Sequence, residues 1–148
     1  MIDHVILAKT AIVGRCLQRI ADRYPGREQD LETDLDLQDI VMLNLQRACE
    51  ATIDMANRAL TLLGQPPASD SRDAFFQLNR LRVIDGELAG RLYGMVGFRN
   101  RLVHQYQEID LDRVRAMLAN NLNDLTDFGA IMIDRFGGKS SEQANPGT

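Results

Sequence analysis

From Val5 to Met132, apolar side chains return every three or four positions, and no stretch shows the every-second-residue alternation of a strand. That periodicity restricts the chain to packed helices. Five helical segments can be read. The first runs from about Asp3 to Tyr24, with Val5, Ile6, Ala8, Ile12, Val13, Cys16, Leu17 and Ile20 on its apolar side, and Pro25-Gly26 stops it. Residues 27–35 are mostly charged and read as a loop. The second, about Asp36 to Leu63, is the longest, with Ile40, Leu43, Cys49, Ile53, Ala56 and Leu60 on one apolar face, and Gly64 suits the left-handed position that follows a helix. Ser69-Asp70-Ser71 offers N-cap oxygens to a third helix that reaches about Val83. A fourth, about Gly86 to Tyr106, buries Leu88, Leu92, Met95, Val96, Leu102 and Val103. Asp110 caps a fifth, about Leu111 to Arg135, and Phe136-Gly137-Gly138 ends it.

There is no internal repeat and no long linker, so residues 1–138 are expected to form one domain, an all-α bundle of about five helices. Residues 139–148 are polar and small and are expected to be disordered. The second and fifth helices carry more apolar surface than one bundle can cover, which points to a homodimer.

The function classes narrow from here. No apolar run approaches the roughly 18 residues of a membrane span, and the N-terminus lacks the basic lead of a signal peptide, so no membrane and a cytoplasmic location are expected. Two cysteines, Cys16 and Cys49, both inside helical patterns, read as buried thiols rather than a disulfide or a zinc site. No metal cage and no cofactor are expected; Asp54, Asp85 and Glu87 read as solvated or locally paired. The net charge of −4 disfavours a long nucleic-acid track. Residues 71–115 nevertheless hold eight arginines against six acidic side chains. A local arginine surface on an acidic body fits a confined phosphate site.

Within that surface lies Phe98-Arg99-Asn100-Arg101-Leu102-Val103-His104-Gln105-Tyr106. Histidine can take or give a proton near neutral pH, and arginine grips phosphate with a planar fork. These are the side chains that metal-free RNA cleavage needs. Arg99 and His104 stand five residues apart, however, which on a straight helix turns them about 140° from each other. Either the helix ends or bends near Leu102–His104, or two copies of the motif meet across a symmetry axis. On spacing alone, arginine and histidine near a helix C-terminus are better explained by its exposed carbonyls. Arg101 and Arg91 are lesser candidates for contacting an RNA backbone.

The motif Arg99-Asn100-x-x-Val103-His104-x-Tyr106, preceded by Gly94-Met95-Val96-Gly97-Phe98, resembles the HEPN superfamily, and more closely the HepT-type toxins of HEPN–MNT toxin–antitoxin pairs. Leu43-Asn44-Leu45-Gln46-Arg47-Ala48-Cys49-Glu50-Ala51 with Ile53-Asp54, and Ser71-Arg72-Asp73-Ala74-Phe75, also look like segments of that family. The resemblance implies a helical dimer whose motifs line a cleft between protomers and cut RNA, tRNA or mRNA, without a metal. It further implies neutralisation by a small MNT nucleotidyltransferase that transfers AMP from ATP to Tyr106. His104 would be the general base, Arg99 would stabilise charge on the phosphoryl oxygens, and Asn100 would orient the phosphate or the imidazole. The resemblance leaves open whether the antitoxin builds larger assemblies. A competing reading is a non-catalytic helical subunit that presents substrate to a nucleotidyltransferase.

Overall fold

The computed structural model describes residues 2–138. Six α-helices follow in order: α1 (His4–Arg23), α2 (Leu35–Leu62), α3 (Ser71–Arg80), α4 (Gly86–His104), α5 (Leu111–Asn120) and α6 (Leu122–Phe136). Short 3-10 turns occupy Glu28–Asp30 and Tyr106–Glu108. The fold is all-α, as expected. The tail expected to be disordered, 139–148, lies outside the described residues.

Local chemistry sets the helix starts. Asp3, Asp34, Asp70 and Asp85 each precede a helix in extended backbone and accept a hydrogen bond from a backbone N–H three residues on, satisfying one of the donors a helix leaves open. Asp110 does the same for α5, through the N–H of Asp112. Gly64, at φ +72°, follows α2 in the left-handed region, and Gln65 N–H returns to Leu60 O. α3 stops earlier than its pattern suggests, at Arg80, because Arg82 takes φ +62° and Val83 N–H closes on Leu78 O.

The fifth predicted helix is in fact two. Asn121 has φ −120° and ψ −2°, its N–H ends α5 on Met117 O, and its side-chain amide reaches Asp124. An Asn-Asn pair competes poorly for helix interior, and Asp124 is held from outside by Arg91 at 2.7 Å. α6 thus leaves α5 at a corner and is free to return to the core.

α2 is the central element. It packs along α1 and also meets α3, α4 and α6. Leu37, Val41, Leu45, Ala48, Ala56 and Leu60 point inward, and Phe75 of α3 meets Phe128 of α6 edge-on, ring centres 5.4 Å apart. Asp3 ties the ends together: its N–H bonds Phe136 O, and its carboxylate takes a forked pair of bonds from Arg58. Cys16 and Cys49 are free and buried, and burial pushes the Cys49 thiol up to about 12. Asp54 pairs with Lys9, and Asp85 is a cap.

Two burial expectations fail. Val5, Leu43 and Val103 stay 40%, 45% and 41% exposed, at the rims of their helices' apolar stripes. The fifth segment shows no surplus apolar face: the large exposed hydrophobics are on the N-terminal turn, α2, α3, α4 and the turn after α4, with none on α5 or α6. Among the described residues no helix is long and apolar enough to cross a membrane, and no group of three or more His, Cys, Asp or Glu could hold a metal ion.

Candidate active site

The inward face of α4, made by Leu88, Leu92, Met95, Phe98 and Leu102, fixes the helix on the bundle. Its rotation then sets which polar residues share the outer side. Gly97, Asn100, Arg101 and His104 fall on one line at helical spacing, and together with Arg72 and Gln105 they border a cleft of about 290 Å³. Arg72 comes from the first turn of α3. Its Nε donates to Tyr93 O at 3.3 Å, so its guanidinium lies across α4. It can lie there because residue 97 has no side chain: a Cβ on Gly97 would stand 2.8 Å from a terminal nitrogen of Arg72.

Arg99 turns away from this cleft. Its terminal nitrogen donates to Ser71 Oγ at 3.0 Å, beside the N-terminus of α3, and it does not border the His104 cleft. The helix is regular through His104 and ends there, with Gln105 N–H closing on Arg101 O. It therefore stops two residues before the expected end, and neither ends nor bends early enough to bring Arg99 and His104 onto one face. Within one protomer the 140° separation persists.

Charge is concentrated here without compensation. Arg27, Arg58, Arg91 and Arg115 all pair with carboxylates, whereas among the described residues Arg72, Arg99 and Arg101 have no ion pair. No carboxylate borders the cleft. Nε of Arg99 and of Arg101 is buried with no partner, an arrangement that costs roughly 1–3 kcal/mol per group. Such a cluster is suited to anions.

Arg91 is placed elsewhere. It bonds Asp124 and borders a separate concavity of about 310 Å³ between α4 and α5, with Met95, Phe98 and Met117. The structure does not bring it to the His104 cleft. Tyr106 opens the 3-10 turn beyond α4 and faces a third concavity, of about 350 Å³, against the start of α2. Its hydroxyl donates to Asp39 Oδ1 at 2.8 Å, and burial together with that carboxylate pushes the phenol's pKa up, so it stays protonated at neutral pH. Ser71, Arg72 and Asp39 were not singled out as site residues from sequence. The available signals were the family-like Ser71-Arg72-Asp73 segment and a glycine in mid-helix at 97.

Comparison with known proteins shows the family to which this fold belongs. The family model for ribonuclease HepT-like proteins matches residues 13–130, and the chain belongs to that family. It is 41% identical over 128 residues to the mRNA nuclease HepT of Shewanella oneidensis, covering 85% of this chain and 94% of the relative. It is 28% identical over 110 residues to the tRNA nuclease HepT of Aphanizomenon flos-aquae, covering 74% of this chain and 75% of the relative. Among solved structures it is similar to a tri-AMPylated Shewanella oneidensis HEPN toxin in complex with MNT antitoxin, at TM-score 0.83 and 37% identity, covering 90% of this chain and 99% of that one. A toxin–antitoxin complex with AMP-PNP gives TM-score 0.82 at 37% identity, covering 88% and 99%.

Proposed function

We propose that this chain is the toxin of a HEPN–MNT pair, an endoribonuclease that cuts RNA without a metal and is neutralised by AMP transfer to Tyr106. The observation that carries the nuclease reading is the cleft itself: an exposed imidazole, His104, beside Asn100 and two arginines with no carboxylate in reach. His104 takes the proton of a ribose 2′-hydroxyl, and the oxygen attacks the adjacent phosphorus. The bond to the 5′-oxygen breaks, and that oxygen takes a proton from a second imidazole. The products are a 2′,3′-cyclic phosphate and a 5′-hydroxyl. Arg72 and Arg101 hold the phosphate and Asn100 orients it. Arg99 neutralises charge growing on the phosphoryl oxygens.

A homodimer supplies what one protomer lacks. With two motifs facing across a two-fold axis, Arg99 and the second imidazole enter the cleft from the partner, which resolves the 140° separation. The binding-subunit alternative is disfavoured, because both relatives above are nucleases by name. Their substrates differ, mRNA and tRNA, so the proposal commits to RNA and to no finer class. An RNA target and an ATP-using partner support a cytoplasmic location for the pair.

Neutralisation rests on Tyr106, 42% exposed at the end of the motif, and on the AMPylated state of the similar toxin. A phosphodiester on this oxygen adds negative charge and bulk beside the site where RNA phosphate binds. The test is cleavage of defined RNA in EDTA with end-group analysis. Cyclic-phosphate and 5′-hydroxyl ends are expected; 5′-phosphate ends, or loss of cleavage in EDTA, would refute the chemistry.

A further inference from the structure

We propose that Asp39 is the general base for adenylylation of Tyr106, so that the toxin itself supplies the group that activates its acceptor hydroxyl. The inference rests on Tyr106 being the AMP acceptor. Asp39 lies on the second turn of α2, 67 residues from Tyr106, yet its Oδ1 receives the phenol's hydrogen at 2.8 Å. That is within the reach required of a base in the transferring geometry. Both residues are exposed, so a partner enzyme carrying ATP can approach them.

Three features separate this contact from an ordinary surface hydrogen bond. First, Asp39 is uncommitted: among the described residues it forms no ion pair, and its only side-chain hydrogen bond is to Tyr106. Second, the hydroxyl hydrogen is aimed at Asp39, which leaves the oxygen lone pairs directed away from the carboxylate. The concavity beside them has apolar walls from Leu35, Met42, Ile109 and Leu111 and has room for the adenylyl group being transferred. Third, the phenol is protonated at neutral pH, and burial and the same carboxylate push its pKa further up. A protonated phenol is a poor nucleophile, so its proton must leave as the new bond forms, and Asp39 is the group placed to take it.

In the step, Tyr106 Oη bonds to the α-phosphorus of ATP and the bond from that phosphorus to the bridging oxygen of the β-phosphate breaks. Pyrophosphate leaves with the bonding pair. The phenolic proton passes to Asp39 and from there to solvent. A carboxylate raises the phenol's pKa at rest because it accepts the hydrogen bond. The same carboxylate becomes the proton's destination once phosphorus withdraws charge from the oxygen.

The experiment uses the full chain, its cognate nucleotidyltransferase and ATP, with initial rates of AMP incorporation followed by intact mass and peptide mapping between pH 6 and 9. Asp39→Asn keeps the size and can still accept the hydrogen bond but cannot take the proton. Its kcat for modification is expected to fall about a hundredfold or more at neutral pH with KM unchanged. Its rate should climb about tenfold per pH unit as phenolate forms, while the wild-type profile is flatter. Asp39→Glu should recover part of the loss. Asp39→Asn and Asp39→Ala proteins with wild-type kcat and an unaltered pH profile would overturn the proposal, and so would a loss confined to KM. Tyr106→Phe separates the two levels. If it takes up AMP like wild type, the acceptor assignment fails and the base assignment with it. If it is unmodified while Asp39→Asn behaves normally, the base assignment alone fails.

Discussion

Between Val41 and Leu60, α2 buries one broad face in the core, and its buried polar side chains are absorbed by its own backbone. Thr52 donates to Ala48 O at 2.8 Å and Asn44 to Ile40 O at 2.7 Å, with Asn44 Oδ1 the one atom left over. The last two turns of α4 face the opposite situation. There two arginine Nε groups are buried without partners, a third guanidinium is laid over a glycine, and no carboxylate balances them. Both segments are regular helix of ordinary length. The difference teaches that this bundle separates its tasks: α2 with α1 and α6 holds the molecule together, and the end of α4 with the start of α3 tolerates unfavourable electrostatics that suit the anion site proposed there.

That division can be broken by substitution. His104 is exposed and makes no core contact, so His104→Ala should leave the thermal unfolding curve in place while RNA cleavage falls roughly 10²–10⁴-fold. Cleavage at wild-type rate would dissolve the distinction. The reverse case is Phe128→Ala, which empties the edge-on contact with Phe75 and should cost about 3–5 kcal/mol in urea denaturation. Arg99→Lys keeps the charge but loses the guanidinium that donates to Ser71 and, in the proposed chemistry, forks onto phosphate. About a tenfold or greater loss of cleavage is expected, against little change in stability.

Gly97→Ala sharpens the contrast. The added methyl displaces only the flexible end of Arg72, while alanine favours the helix by roughly 0.5–1 kcal/mol. Stability should hold or rise as cleavage drops a few-fold; parallel loss of both would show that residue 97 belongs to the scaffold after all. The smallest effect concerns acid. The forked bond from Arg58 holds the Asp3 carboxyl below its ordinary 3.8, with the cap bond to Ile6 N–H adding to it. A depressed native value stabilises above the unfolded value and is lost as pH falls through the native one. Asp3→Asn should therefore soften the stability loss below about pH 4, as read from melting temperature against pH.

Much of the bundle was legible because each signal was local. Aspartate caps, Gly64 and the apolar stripe of α2 act within a few residues, and the motif from Arg99 to Tyr106 was visible as a contiguous run. What escaped depended on distance or balance. The corner at Asn121 follows from Arg91 holding Asp124, a contact across 33 residues that no helical periodicity encodes. Arg91 looked like one more arginine on a basic face until its partner appeared. Arg72 and Asp39 reach the candidate site and Tyr106 only because α3 packs on α4 and the start of α2 lies beside the turn after α4. Leu43 and Val103 were misassigned because each sits at the edge of a stripe, where periodicity gives the same answer for a covered rim and a bare one.

The bond from Tyr106 to Asp39 depends on a single hydrogen atom, and any substituent on the phenolic oxygen removes it. Among the described residues it is the only side-chain hydrogen bond tying 105–110 to α2. Chemical marking of this oxygen therefore also unfastens the segment that bears it. The marked and unmarked forms should be distinguishable by amide exchange along 105–110, without reference to any catalytic assay.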